Sequence, residues 1–357
     1  MAEEVLKQEI NATRGSFHIR GIITSLDKEQ EIESKTSKGN TMRRIVFNVD
    51  TAEGHSHRMQ LMAYQGEKVY FSCTKVDDKG NRTNIVEEVK WNDRQKFNKE
   101  GFLPIDRVSF HCGMKKDDDG KESRATVSML TFDAIPEILK EFSVGDSVNI
   151  NGTLQIEEYT MQNGNTGKAV RMIPTRMFHT TEDVDFNADD FSEVANFTQV
   201  ILMDEIEFTG TKEATITGLV IGNRRMGRQD FIYREDPAVP DVKFSEYEDL
   251  LRVLKNEKKY VCAKVWGQMI NGASKQEEEV EYIVIKGVRV PKKVNPMERR
   301  GGNGFIREFL ITGIDLENLD FESYTEENVQ QFIDTFIRAK EEFGESTSTS
   351  SADDFAF

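Results

Sequence analysis

Residues 132–155, FDAIPEILKEFSVGDSVNINGTLQ, decide the architecture of this chain. Across Phe132–Phe142, Ile135, Ile138, Leu139 and Phe142 fall on one helical face. Val144–Tyr159 then reads as a strand, joined through the turn-rich Asn163-Gly164-Asn165-Thr166-Gly167 to a second strand, Lys168–Phe178. Upstream, Phe17–Leu26 reads as a strand, and Met42–Asp50 alternates Ile45, Phe47 and Val49 with polar neighbours, the period of a half-buried strand. Glu53-Gly54 marks a tight turn into a hairpin partner, His55–Tyr64. Three strands, a helix and two more strands match a bent five-stranded barrel, although periodicity alone leaves other all-β barrels and sandwiches open.

The second half restarts this order. Glu213–Gly222 (EATITGLVIG) echoes HIRGIITSL, with Gly218 and Gly21 each inside an apolar strand, where a glycine usually marks a bend or bulge. Phe244–Glu257 reads as a helix with Tyr247, Leu250, Leu251 and Leu254 on one face. Lys259–Met269, Val280–Val290 and Phe305–Ile314 read as strands. Thr325 is a good N-cap for an amphipathic helix carrying Val329, Phe332, Ile333, Phe336 and Ile337. Between the first three strands and the helix lies a polar stretch with turn signals at Lys79-Gly80-Asn81 and Asp119-Gly120, the second flanked by a hairpin of Val108–Gly113 and Ala125–Thr131.

Charge refines the division. The net charge is −16, but segments 182–207 and 317–357 carry −9 each and leave the remainder at +2. Whole-chain acidity is therefore the wrong guide to binding, because screening limits each cluster to about 8–10 Å. The expected units are a flexible N-terminus (1–14), a first barrel (15–181) holding an inserted segment (65–125), an acidic connector (182–207), a second barrel (208–316), an acidic segment with a helix (317–343), and a disordered acidic tail (344–357). No apolar run approaches the roughly 20 residues that cross a bilayer, so a soluble protein is expected. Met1–Arg14 lacks an apolar signal core, and Cys73, Cys112 and Cys262 are odd in number and far apart, which fits a reducing cytoplasm.

Asp353, Asp354, Phe355 and Phe357 lie at the end of a tether too poor in apolar surface to fold. Such a segment can place an aromatic in a partner's pocket while its carboxylates meet Lys or Arg on the rim.

The residues from Ser37 to Asp50, the helix Phe132–Phe142, the segment Val144–Gln155, and Glu158-Tyr159 with Lys168–Phe178 together resemble bacterial-type single-stranded-DNA-binding proteins, which use the OB-fold. The resemblance covers 15–64, 126–178 and the tail, which is similar to the tip by which that family recruits replication, recombination and repair partners. It implies tandem OB-like barrels, a mainly β protein with short helices, no cofactor and no catalysis. Three departures stand out: the insertion Gln65–Ala125, the second barrel, and a Phe355-Ala356-Phe357 tip in place of Ile-Pro-Phe. They imply a phage or other viral version, active in the host bacterial cytoplasm, working as a monomer or dimer where the family uses a tetramer.

Binding an unpaired strand needs cations for phosphates and exposed aromatics for bases. In the first half Arg43, Arg44, His55, His57 and Arg58 lie on the ribbon of strands two and three, the face OB-folds use. Tyr64, Tyr70, Trp91 and Tyr159 are the expected stacking rings, with Lys168, Arg171 and Arg176 on strand five. In the second half the candidates are Arg224, Arg225 and Arg228 beside Tyr233, Lys264 with Trp266, and the Gly-rich basic loop holding Lys292, Lys293, Arg299 and Arg300. Phe47 and Phe110 are expected in the core.

Other classes have thinner support. The chain has no GxxxxGK[ST], GxSxG or HExxH motif. A metal-dependent nuclease would rest on Asp117-Asp118-Asp119, which is flanked by lysines and reads better as a solvated hairpin tip. A zinc site would draw on His55, His57, Cys73, His111 and Cys112, but no CxxC pair exists. A structural or virion assembly protein built on the same barrels is the main alternative.

Overall fold

The computed structural model describes residues 12–334 apart from 29, 31, 37–38, 77–78, 117–121, 161–165, 211, 223–224, 236–243, 256–259, 274–281, 286–287 and 292–304. The chain is mainly β. It begins with β1 (Gly15–Leu26), β2 (Glu33–Lys35), β3 (Thr41–Ala52) and β4 (His55–Tyr64). Their inward positions alternate strictly: Ile45, Phe47 and Val49 on β3 and Met59 and Leu61 on β4 are fully buried.

The inserted segment folds as two pieces. β5 (Lys68–Val76), β6 (Arg82–Lys90) and β7 (Leu103–Pro104) form a small separate sheet. β8 (Arg107–Lys116) and β9 (Glu122–Leu130) form the expected hairpin, and β8 joins the main sheet. Then α1 (Thr131–Glu141), β10 (Ser147–Thr160) and β11 (Thr166–His179) complete the first barrel. α1 buries Phe132, Ala134, Ile135 and Ile138. The order of pairings is β1–β3, β3–β4, β4–β11 in parallel, β11–β10 and β10–β1, a closed ring.

The second barrel repeats that ring. Its strands are β12 (Val194–Thr209), β13 (Glu213–Gly222), β14 (Arg225–Arg234), then α2 (Glu248–Lys255), β15 (Val261–Ala273), the short pair β16 (Tyr282–Ile285) and β17 (Val288–Pro291), and β18 (Phe305–Ile314). β12–β13, β13–β14, β14–β18 in parallel, β18–β15 and β15–β12 close the circle. The two barrels thus share one OB-like topology, with the helix before the fourth strand in each. Residues 326–334 are helical, and the Asn328 amide donates to the Thr325 hydroxyl at 3.2 Å, the anticipated N-cap.

Three boundaries differ from the sequence reading. The acidic connector ends at Glu193, because Val194–Glu207 is most of β12, whose buried Ala195, Phe197, Ile201 and Leu202 outweigh its acids. Thr13 is buried and held to Ile221 by its main-chain amide (2.7 Å) and by its hydroxyl, which accepts from the Ile221 amide (2.8 Å), so the flexible N-terminus cannot extend to 14. Val280–Val290, read as one strand, contains the two short strands β16 and β17 paired as a hairpin.

The barrels meet along their first strands. Residues Gly15–Arg20 of β1 pair antiparallel with Val194–Gln199 of β12, so β11, β10, β1, β12, β15 and β18 run as one antiparallel sheet over both interiors. One contiguous hydrophobic core spans both barrels. The β10–β11 hairpin also reaches the second barrel, where Glu158 Oε1 accepts from the Arg228 amide at 3.0 Å.

Candidate functional site

Tyr64, the last residue of β4, points outward because Met59, Leu61 and Ala63 take the inward positions of the strand. The insertion returns immediately as β5, whose alternation buries Val69 and Phe71 and turns Tyr70 out. Tyr64 is 51% exposed and Tyr70 48%. Between them opens a cleft of ≈ 240 Å³, lined also by Lys68, Ile105, Asp106, Leu130, Trp91 and Phe132. That volume is below the 300–1,000 Å³ of drug-sized pockets and suits a single ring system better than an extended ligand.

The far wall is rigid. Trp91 meets Phe132 edge-on at 5.1 Å, and the Arg94 guanidinium lies 4.2 Å from the Trp91 ring. Arg94 is fixed in turn by a two-pronged bond to Asp133, at 2.9 and 2.7 Å. Arg43 stacks 4.2 Å over the Phe132 ring, donates to the Phe132 carbonyl and pairs with Glu33 at 3.1 Å. On the rim, Lys68 pairs with Glu88 at 2.6 Å, and Asp106 accepts from the Thr131 hydroxyl at 2.5 Å. The cleft therefore offers two exposed phenol rings, an apolar floor, and one cation and one carboxylate at its edge.

Three of the anticipated stacking rings thus converge, but Trp91 serves as the floor. It is only 8% exposed and cannot carry a base on its face. Tyr233 is corrected outright: it is fully buried, sharing the inward side of β14 with Phe231 and packing against Phe244 and Tyr247. His57 is corrected likewise, since it shares the inward parity of Met59 and Leu61 and is 2% exposed. Burial lowers its pKa to about 4, so it is neutral at pH 7 and supplies no charge to a phosphate. Alternation counted from Leu61 back to His57, and from Phe231 to Tyr233, could have found both. Tyr159 is half-buried and lies over Gly167, its partner across the β10–β11 hairpin.

Several candidate cations are engaged with carboxylates. His55 Nδ1 lies 2.8 Å from Glu193, Arg171 pairs with Glu157 at 2.8 Å, Arg228 with Asp204 at 2.7 Å, and Lys168 approaches Asp230 at 3.7 Å. Burial pushes the Glu193 carboxyl up, but hydrogen bonds from His55 and Thr51 outweigh it and the net direction is down. Arg44 and Arg58 sit half-buried on the outer side of the β3–β4 ribbon. Arg176 and Lys264 are exposed, and Trp266 is 39% exposed on the same side of β15 as Lys264. Arg225 begins β14 opposite Gly222. Arg224, Lys292, Lys293, Arg299, Arg300 and the tail residues Asp353, Asp354, Phe355 and Phe357 lie outside the described residues. So do Asp117, Asp118 and Asp119.

The sequence reading missed Lys68, Ile105 and Asp106, which reach the cleft only because the small sheet folds back over the start of α1. Among the described residues, no group of three or more His, Cys, Asp and Glu side chains could hold a metal ion, and no helix is long and apolar enough to cross a membrane.

Residues 14–348 match the YorF family, and the chain belongs to it. Two solved structures are similar: the wild-type single-stranded DNA binding protein from Thermus aquaticus, at 9% identity, and a deletion mutant of it, at 8%. Both cover 73% of this chain, and 87% and 89% of their own chains, with a TM-score of 0.33. A score that low carries no argument about the site. No curated protein matches the chain.

Proposed function

We propose that this member of the YorF family binds single-stranded DNA without performing chemistry on it. The observation that carries this reading is the cleft beside the β3–β4 ribbon, where Tyr64 and Tyr70 stand half in solvent over a floor of Trp91 and Phe132. Exposed phenol rings cost solvation and contribute little to a core. Stacking an unpaired base against them recovers about 1–3 kcal/mol by the usual measure of such contacts. Duplex DNA offers no free ring face there. The setting we propose is the coating of exposed strands in replication, recombination or repair in a bacterial cytoplasm, with the segment from Gly344 to Phe357 recruiting partner proteins.

Titrating poly-dT while following the fluorescence of Trp91 and Trp266 tests the reading. Binding quenches emission, and affinity falls with salt by a slope of roughly −0.7 per phosphate neutralised. A flat titration at low salt sinks it. The competing reading, a structural or assembly protein, draws on the ion pairs of Arg43, Arg171 and Arg228, which already occupy the charge a phosphate would use. A flat titration favours it.

A further inference from the structure

We infer that the outer side of the shared sheet carries a second contact path for the same strand, crossing from Arg176 on the first barrel to Trp266 on the second. The inference rests on the single-strand reading but on different residues. It follows from register. Directly opposed residues of an antiparallel pair project to the same side of a sheet. Arg176 opposes Asn151, Asn151 opposes His18, His18 opposes Asn196 and Asn196 opposes Gln268, a row that crosses the seam between the barrels unbroken. The alternate residues Phe17, Ile19, Ala195 and Phe197 are buried, so this row faces out. With neighbouring strands about 4.8 Å apart, four steps span about 19 Å.

The adjacent row runs through Thr153, Ser16 and Thr198 to Trp266. Trp266 opposes Gly313. A Cβ at Gly313 would come within 2.5–2.6 Å of the indole Cε2, Cζ2 and Nε1 atoms. The ring therefore lies on bare main chain, which leaves its other side outward at 39% exposure. Lys264, two residues away on the same side, is exposed. Among the described residues neither Lys264 nor Arg176 makes an ion pair, unlike the paired cations nearer the cleft.

No carboxylate stands in either row. Asp315 stands beside Lys264, its amide donating to the Lys264 carbonyl at 2.9 Å and its carboxylate accepting from Asn318. Other acids belong to the segment after β11, where the Val184 amide donates to the Ser147 hydroxyl at 2.9 Å. Ser147 opposes Ile22, so Glu182, Asp183 and Asp185 pass the sheet beyond Arg20, at one end of the strands. A polyanion is repelled from that end and drawn along the rows, across the seam. The occupant this fits has phosphates for Arg176 and Lys264 and an unpaired base for Trp266. An acidic protein segment would satisfy the cations but leave the indole uncovered.

The test uses the full chain and dT oligomers of increasing length. W266A loses about 5- to 150-fold in affinity for long oligomers, the span expected of one stacked base, and little for the shortest. The double variant R176A/K264A also loses affinity for long oligomers, most at low salt. W266F, which keeps a ring over Gly313, recovers most of that loss. R176A/K264A lowers the salt slope by about 1.4, two phosphates' worth. An unchanged length dependence in W266A together with an unchanged salt slope in R176A/K264A overturns the path, while wild-type and cleft-variant titrations still judge the single-strand reading separately. Loss of binding to an acidic peptide, with dT binding intact, also overturns it. A wild-type chain that binds no dT removes the primary reading and this one together.

Discussion

Phe17 on β1 lies directly opposite Phe197 on β12, and both are almost wholly buried. This pair is the point at which the two barrels become one body, because their interiors lie on the same side of the seam. Phe197 also meets Phe231 at 5.8 Å and Phe309 at 5.0 Å in the second barrel. Truncating Phe197 to alanine removes an aromatic from a contiguous core, and F197A is expected to lose about 3–5 kcal/mol. Urea unfolding followed by circular dichroism and by Trp fluorescence should show coincident transitions for wild type. Two separated transitions in the wild-type chain would contradict a shared core.

Acid should weaken the fold through His57. Its folded pKa of about 4 lies below the ordinary value of 6.5, so the unfolded chain binds the extra proton first as pH falls. Stability is therefore complete above pH 6.5 and is lost between 6.5 and 4, by on the order of 3 kcal/mol from this group. Burial also lowers the pKa of His111 and His179, which adds to the same trend. Urea midpoints measured from pH 8 to 4 report the slope, and H57Q should flatten it relative to wild type. An identical slope in H57Q would show that other groups carry it.

The cleft residues divide by exposure. Tyr64 and Tyr70 are half in solvent, so Y64A and Y70A should each weaken dT binding by about 5- to 150-fold while the melting temperature stays within a few degrees. Trp91 is the reverse case. W91A opens a void beside Phe132 and Arg94 and should cost about 3–5 kcal/mol of stability. Parallel thermal melts and titrations separate the two roles, and an unstable Y64A with normal affinity would reassign that ring to packing.

The two strand glycines differ in what surrounds them. A Cβ on Gly21 would sit 2.0 Å from the Asp50 carbonyl oxygen, which is main chain of the paired strand and cannot turn aside. A Cβ on Gly218 would meet side-chain atoms of Ile201 at 2.9–3.1 Å. G21A should therefore reach or exceed the upper end of the roughly 1–3 kcal/mol typical of overpacking, and G218A should cost less. Equal losses in urea unfolding would mean that the β1–β3 crossing relaxes more readily than its geometry indicates.

If the segment Gly344–Phe357 acts as proposed, deleting it leaves dT affinity unchanged or tighter, by removing acidic charge, and abolishes capture of partner proteins. Weaker dT binding after deletion would defeat the recruitment reading.

Much of the fold was legible because periodicity is local. Ile45, Phe47 and Val49 announce β3 by alternation, and Ile135, Ile138 and Phe142 announce α1 by helical spacing; the chain obeys both. The site was legible only in part. Tyr64 and Tyr70 stand half in solvent, but Tyr233 and His57 follow Phe231 and Met59 inward, so residue type misleads where parity does not. The ion pairs were not legible at all: Arg228 and Asp204 are far apart in sequence and meet only because β13 lies between β12 and β14.

By itself the sequence determined a repeated order of three strands, a helix and two strands, because side-chain burial on a strand or helix depends on spacing of a few residues. Only the tertiary structure decided that Gly15–Arg20 would pair with Val194–Gln199, that the small sheet would fold over α1 to make a cleft, and which cations would be neutralised. Those outcomes depend on main-chain hydrogen bonds between distant segments, and such bonds carry no mark of residue identity for a linear reading to find.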